Sequence, residues 1–311
     1  MARESPPTRR VTTLLDTVVA APGHDFSLAE LAKQTGISKA TCLGILNELC
    51  TAGYLTRATT ERTYRPGPAL LTAGAAAQAS YATVDAALPA LRALAAELDA
   101  PVTVSVRSGN QALIVARLGP HPDRTPALRA GLRTPLVAPG ALLFFAWSDD
   151  VTLDRWLRHN GPPAGAVDQA HVDRVVAAAR RDAYLIERLN ELDPALFALL
   201  AELGRGPMPA QLSDVIRRTL EAGGMEQYVL DDIQRRHRYD VGYVVAPVYD
   251  PSGEPAFLVS MLLMQPGVDG GDLQRCAGAL RDATARITAS LGGRDPWASP
   301  TARSGRRSAA R

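Results

Sequence analysis

The chain has 311 residues, a length that fits two domains of ordinary size better than one. Its 46% of hydrophobic and 21% of charged residues exclude a wholly disordered protein, and no run approaches the roughly 18 apolar residues that span a bilayer. The net charge of +2 does not by itself indicate a nucleic-acid-binding protein, although residues 1–67 and 294–311 are each basic and the stretch between them is weakly acidic.

Three helices are predicted near the start of the chain. Apolar side chains recur at helical spacing over residues 8–21. Ser27 followed by Glu30 has the pattern of a capping box, which begins a second helix that ends near Gly36. Ser38 is expected to cap a third helix, whose apolar stripe is formed by Cys42, Ile45, Leu46 and Leu49.

Two short segments of alternating side chains, 54–57 and 63–65, follow the third helix, with a polar turn at 58–62 between them. Such a pair predicts a β-hairpin. Three helices followed by a hairpin are typical of a winged helix-turn-helix, so the sequence predicts a DNA-binding domain over residues 8–67.

The first turn of the third helix carries the candidate base contacts Ser38, Lys39, Ala40 and Thr41. This part of a helix-turn-helix protein reaches base edges in the major groove. Lys39 and Thr41 are the strongest candidates. Ser38 has a second interpretation as a helix cap alone, and the two roles do not exclude each other.

Arg57 and Arg62 of the wing, together with Lys39, are candidates for contacts with DNA phosphates, which position a protein without reading its sequence. The alternative for each is a solvated surface charge. Guanidinium groups must dominate any phosphate-contacting surface, because Lys33 and Lys39 are the only lysines in the chain.

Residues 68–82 are predicted to form a linker helix. The Ala-rich run 69–81 has high helix propensity and little polar surface, which predicts a buried connecting helix that can also pair two subunits. An amphipathic helix over residues 83–99 then begins the second domain.

The second domain, residues 83–293, alternates strand and helix patterns and is predicted to have an α+β fold. Two hairpins and a final helix are expected, at 101–107 with 112–118, at 241–250 with 256–263, and at 269–291. The basic tail, residues 294–311, is predicted to be disordered, and its charge either adds nonspecific affinity for DNA or is simply solvated.

The sequence lacks the patterns of an enzyme. The three cysteines form no CxxC pair, the five histidines have no metal-ligand spacing, and no nucleophile motif or phosphate-binding loop is found. We therefore expect no catalytic residue, no metal site and no cofactor. The odd cysteine number and the lack of an apolar signal region predict a cytoplasmic protein without a membrane partner.

Residues 26–74 resemble the DNA-binding domain of the isocitrate lyase regulator (IclR) family of transcription factors. The resemblance rests on the succession of helices and wing and on the short segments 36–39, 53–55 and 64–67. It continues in the second domain through residues 87–106, 131–147 and 243–261.

The resemblance implies a dimer or a dimer of dimers, and a C-terminal domain of profilin- or GAF-like α/β fold that binds a small organic effector. The positions that match the family's effector contacts are Gly140, Ala141, Glu187, Tyr243 and Ser260. Gly140 and Ala141 also open a predicted apolar helix, whose free N–H groups favour a carboxylate. Leu262, where a second serine would match, and the apolar run 142–145 indicate a rather apolar acid, although each of these residues also suits an ordinary core.

Two departures from the family are visible. A predicted helical insertion near residues 190–238 is either an elaborated surface loop or a subunit contact or pocket lid. Leu43 and Gly44 occupy positions where the family usually has larger polar or basic residues, which predicts weak or shape-dependent readout of DNA sequence.

The sequence thus predicts a ligand-responsive repressor or activator that binds an operator in double-stranded DNA, with an effector that changes operator affinity. The alternative is a small-molecule-sensing or protein-interaction module whose DNA-binding domain has degenerated. Binding to the promoter next to its own gene, at a defined salt concentration, distinguishes the two.

Overall fold

The computed structural model describes residues 5–21, 23–58, 62–109, 111–121, 128–136, 142–160, 169–189, 229–230 and 232–298. The chain divides into two compact units, of which the first reaches Asp85 and the second begins at Ala86.

The first unit contains the three predicted helices, α1 (Pro6–Val19), α2 (Leu28–Thr35) and α3 (Lys39–Thr51). Both bonds of the predicted capping box at the start of α2 are present: the N–H of Ser27 donates to Glu30 Oε2 at 2.7 Å, and the N–H of Glu30 donates to Ser27 Oγ at 3.2 Å. Gly36 ends α2 in the left-handed conformation, with φ of 67°. Local capping signals therefore set both ends of this helix.

The predicted wing is present as β2 (Leu55–Arg57) and β3 (Thr63–Pro66). A third strand, β1 (Phe26–Ser27), pairs with β3 and completes an antiparallel sheet of order β1-β3-β2. Two residues are too few to show alternation, so the sequence did not predict β1. The core of this unit is apolar and includes Leu14, Val18, Phe26, Leu31, Cys42, Leu46, Leu55 and Tyr64.

The Ala-rich linker forms the predicted helix, α4 (Ala69–Ser80), but it is not buried within the chain. Residues 71–77 are exposed, and Leu71 retains 78% of its accessible surface. The prediction of burial was wrong for the single chain. Alanine has a high helix propensity whether or not the helix is buried. The composition therefore predicted the helix but not what packs against it.

Most of α5 (Ala82–Glu97) belongs to the second unit, which is built on a seven-stranded sheet of order β6-β5-β4-β10-β9-β7-β8. Every neighbouring pair is antiparallel. The strands are β4 (Val102–Ser108), β5 (Gln111–Leu118), β6 (Arg133–Pro135), β7 (Leu185–Arg188), β8 (Val229–Leu230), β9 (Arg238–Tyr249) and β10 (Pro255–Asp269). In the described residues the further helices are α6 (Leu142–Phe145), α7 (Asp150–Asn160), α8 (Gln169–Asp182) and α9 (Gly270–Ser290). The predicted α+β architecture and both predicted hairpins are confirmed.

Helices α6, α7 and α8 cover one face of this sheet. Their apolar side chains form one cluster with Leu185, Val245 and Leu258 of the sheet. Trp147 anchors the cluster, since its Nε1–H donates to the carbonyl oxygen of Ala179 at 3.0 Å. Helix α9 packs against β9 and β10, and among the described residues it contributes none to that cluster. It therefore covers the other face, toward which the alternate residues of β9 point.

The first five residues of the predicted disordered tail are ordered. The indole N–H of Trp297 donates to the carbonyl oxygen of Trp147 at 3.2 Å, and Arg180 lies with its Cζ 4.0 Å from the centre of the Trp297 ring. The prediction of disorder from Arg294 onward was therefore wrong for 294–298. It was based on the polar composition of the whole tail, which did not reveal that the single large aromatic side chain packs on the domain.

Residues 299–311 lie outside the described residues, as do 190–228 and 231 of the predicted insertion. In the part of that insertion that is described, Val229–Leu230 forms strand β8 rather than helix.

Candidate functional site

The N-terminal turn of α3 presents four candidate residues to solvent. Ser38, Lys39, Ala40 and Thr41 are all exposed. Ser38 Oγ accepts the N–H of Thr41 at 3.3 Å and donates to Thr41 Oγ1 at 2.9 Å. Because Ser38 donates to the Thr41 hydroxyl, the proton of that hydroxyl is available to another acceptor. Ser38 thus caps the helix and also orients Thr41.

The two long sides of α3 differ in character. Cys42, Leu46 and Leu49 are buried in the core of the first unit, and burial raises the pKa of the Cys42 thiol. On the exposed side, Leu43 retains 37% of its surface, and a methyl group added to Gly44 would meet no atom within 4 Å. The exposed side of α3, called its exposed strip below, therefore has no hydrogen-bonding side chain at Leu43 and Gly44, as the sequence predicted.

Both predicted arginines of the wing are exposed, and so is a third, Arg65 on β3. Arg57 on β2 lies with its Cζ 5.7 Å from the centre of the Tyr64 ring, a cation–π contact that restrains its direction. Arg62 precedes β3 with φ of 53°, and its N–H donates to the carbonyl oxygen of Ala58 at 3.1 Å. The hairpin thus places one positive charge on each strand and one beside the loop.

The sheet of the second unit brings three predicted effector contacts onto one face. Glu187 on β7 pairs directly with Tyr243 on β9, and Ser260 on β10 pairs with Val245, two residues further along β9. Directly paired residues and residues two apart along a strand share a face. Val245 belongs to the cluster under α6–α8, so all three half-buried side chains lie on the face that these helices cover.

The same register adds two residues that sequence reasoning missed. Thr103 on β4 pairs with Ser260, and Arg117 on β5 pairs with Thr103. A polar row of Arg117, Thr103 and Ser260 thus crosses three neighbouring strands. Thr103 is only 3% exposed, and Arg117 Nη2 donates to the carbonyl oxygen of His121 at 3.1 Å. The alternation of apolar and polar side chains along β4 indicated one polar face. It did not show that this face is the one covered by the helices.

The other two predicted effector contacts, Gly140 and Ala141, lie outside the described residues. Helix α6 begins at Leu142 and has only four residues, and Leu142 and Phe145 are buried in the cluster. Because residues 140 and 141 are not described, the predicted attraction of a carboxylate by their free N–H groups stays a prediction.

No group of three or more His, Cys, Asp or Glu side chains able to hold a metal ion occurs in the described parts of the chain. Among the same residues, every helix is too short or too polar to cross a membrane.

Comparison with models of known protein families gives no match, and comparison with curated proteins gives none either. Solved structures do match. An IclR transcriptional regulator from Alicyclobacillus acidocaldarius is 20% identical, with 93% of this chain and 100% of that chain covered and a TM-score of 0.58. The IclR protein of Thermotoga maritima is 15% identical, with 92% and 98% covered and a TM-score of 0.59.

A third match is an IclR homologue from Microbacterium hydrocarbonoxydans, solved in complex with 4-hydroxybenzoate. It is 16% identical, with 92% of this chain and 98% of that chain covered and a TM-score of 0.59. The chain therefore has the fold of the IclR transcriptional regulators, and the resemblance noted in the sequence is confirmed for the fold.

Proposed function

We propose that the protein is a ligand-responsive transcriptional regulator of the IclR family, cytoplasmic and without enzymatic activity. The observation that carries this proposal is the exposed, capped first turn of α3 within a unit of three helices and a wing. Thr41 and Lys39 read base edges in double-stranded operator DNA, Ser38 orients Thr41, and the arginines of the wing contact phosphates.

The proposed DNA-binding species is a homodimer or a tetramer. Helix α4 supports this, since its residues 71–77 expose almost only small and apolar side chains, Leu71 among them. A second copy of the chain would cover such a surface. Two winged units then hold two half-sites separated by about one turn of DNA, roughly 34 Å, or a multiple of it.

Replacing Thr41 by valine, which keeps its shape but not its hydroxyl group, is expected to weaken operator binding about 5- to 20-fold, equivalent to about 1–2 kcal/mol. Affinity for an unrelated duplex should change little, because phosphate contacts dominate nonspecific binding. The measurement is a titration of the promoter next to the protein's own gene at fixed salt. The matched control is Thr51→Val, at the far end of the same helix.

Equal affinity of the wild-type protein for the promoter and for unrelated DNA would contradict sequence-specific binding. It would favour the alternative of a sensing or interaction module with a degenerate DNA-binding domain. The lack of hydrogen-bonding side chains at the exposed Leu43 and Gly44 is consistent with that alternative. Sedimentation of the promoter complex gives its stoichiometry, and one chain per operator would contradict the proposed oligomer.

The proposed effector is a small organic carboxylic acid of rather apolar character. Glu187, Tyr243 and Ser260 are proposed to contact it from the sheet face described above, with Gly140 and Ala141 completing the set. The buried Thr103 and the guanidinium group of Arg117, in register with Ser260, add hydrogen-bonding groups that suit a carboxylate.

A thermal-shift screen of aromatic, fatty and keto acids, with 4-hydroxybenzoate among the first probes, is expected to show stabilisation by an aromatic or fatty acid. Ser260→Ala should then lower the affinity for that acid roughly 10-fold, because a hydrogen bond to a charged group is lost. Ser290→Ala, an exposed serine of α9, is the control. Stabilisation by only the most polar acids would contradict the apolar effector.

A further inference from the structure

A cleft of about 310 Å³ lies beside residues 38–41, the N-terminal turn of α3, which is called the reading turn below. Some residues that line it were not among the predicted DNA contacts. It opens between α1 and the turn that connects α2 to α3. It is lined by Arg9, Arg10 and Thr13 of α1, by Thr35 at the end of α2, by Gly36 and Ile37 of the turn, and by Ser38 and Thr41 of the reading turn. The only charged groups among these described lining residues are the two guanidinium groups.

The chemistry of the walls favours an anion held by guanidinium groups. Two of the four hydroxyl groups already donate within the protein, Thr35 to the carbonyl oxygen of Leu31 at 2.6 Å and Ser38 to Thr41 Oγ1. Arg9 and Arg10 supply the charged donors among the described lining residues. Arginine presents several N–H groups in a planar fork that matches the non-bridging oxygens of a phosphate.

The position of the cleft indicates which anion it takes. Ser38 and Thr41 line the cleft and also belong to the exposed turn that we propose reads bases. When that turn lies in the major groove, the cleft and α1 face the adjoining sugar–phosphate backbone. Phosphate contacts of this kind fix the register of a protein on the duplex and carry no sequence information.

We propose that Arg9 and Arg10 bind a backbone phosphate of the operator in this cleft and thereby set the position of the reading turn. This inference rests on the proposed function, because it requires α3 to enter the major groove. It makes α1 part of the DNA-binding surface, although no DNA contact was predicted for α1 from the sequence.

The test compares Arg9→Gln, Arg10→Gln and the double variant with Arg92→Gln, an exposed arginine of α5 in the second unit. Binding of the full chain to the promoter and to an unrelated duplex is measured between about 50 and 200 mM salt. The slope of log affinity against log salt is expected to become shallower by about 1 in the double variant, roughly the value of one phosphate contact. The ratio of promoter affinity to unrelated-duplex affinity should stay constant, and Arg92→Gln should change neither quantity.

Three results would overturn the inference. An unchanged slope in the folded double variant, while the wild-type protein binds the promoter, would overturn it and leave the proposed function standing. Stabilisation by inorganic phosphate that the double variant loses without a change in slope would assign the cleft to a free anion. Failure of the wild-type protein to bind either duplex would overturn the proposed function itself. Thermal unfolding of each variant confirms that it is folded.

Discussion

Replacing Arg180 by alanine is expected to lower the free energy of unfolding of the second unit by about 3–5 kcal/mol. Its guanidinium group donates to the carbonyl oxygens of Ala146 at 2.9 Å and Ser148 at 2.7 Å, and to Asp150 Oδ1 at 2.7 Å. The side chain is only 15% exposed and also stacks on Trp297. Alanine would leave two carbonyl groups without these donors and remove the stacking contact with Trp297.

Tryptophan fluorescence during urea unfolding measures this effect selectively, because all three tryptophans, Trp147, Trp156 and Trp297, lie in the second unit. The control is Arg181→Ala, the adjacent arginine, whose side chain is 57% exposed and pairs with Asp182 on the surface. An exposed ion pair contributes about 0–1 kcal/mol. Equal shifts of the unfolding midpoint in the two variants would show that the buried contacts of Arg180 do not stabilise the second unit as expected.

The features that the sequence predicted best are those fixed by neighbouring residues. The capping box of Ser27 and Glu30 is formed as expected, because both of its bonds join residues three apart. The wing followed from alternation on either side of a polar turn. Such signals lie within a few residues of the structure that they specify, so they need no knowledge of the rest of the chain.

The features that the sequence missed depend on distant partners. The exposure of α4 is decided by what covers it, which its own composition does not encode. Thr103 and Arg117 join Ser260 only through the strand order β5-β4-β10, in which β10 lies far along the chain. The docking of Trp297 on Trp147 spans 150 residues. The elements of the site were therefore predictable one by one, but their assembly was not.

A second pair of variants separates a glycine that packing requires from one that it does not. Gly67 follows the wing, and its N–H donates to the carbonyl oxygen of Tyr54 at 2.8 Å. A methyl group there would overlap the carbonyl oxygen of Gly53 and lie 2.9 Å from the backbone of Leu55. Gly67→Ala must displace backbone rather than a flexible side chain, so we expect a loss of about 3 kcal/mol in the stability of the first unit.

Gly44→Ala is expected to have the opposite sign, a gain of about 0.5–1 kcal/mol, because alanine is the better helix former and the added methyl group meets no atom within 4 Å. Hydrogen exchange of the amides of α3 reads both effects, with faster exchange in Gly67→Ala and slower exchange in Gly44→Ala. Wild-type exchange in Gly67→Ala would refute the steric argument. Since Gly44→Ala should stay folded, any change that it causes in operator affinity reports on contacts at the exposed strip of α3, which separates DNA recognition from folding.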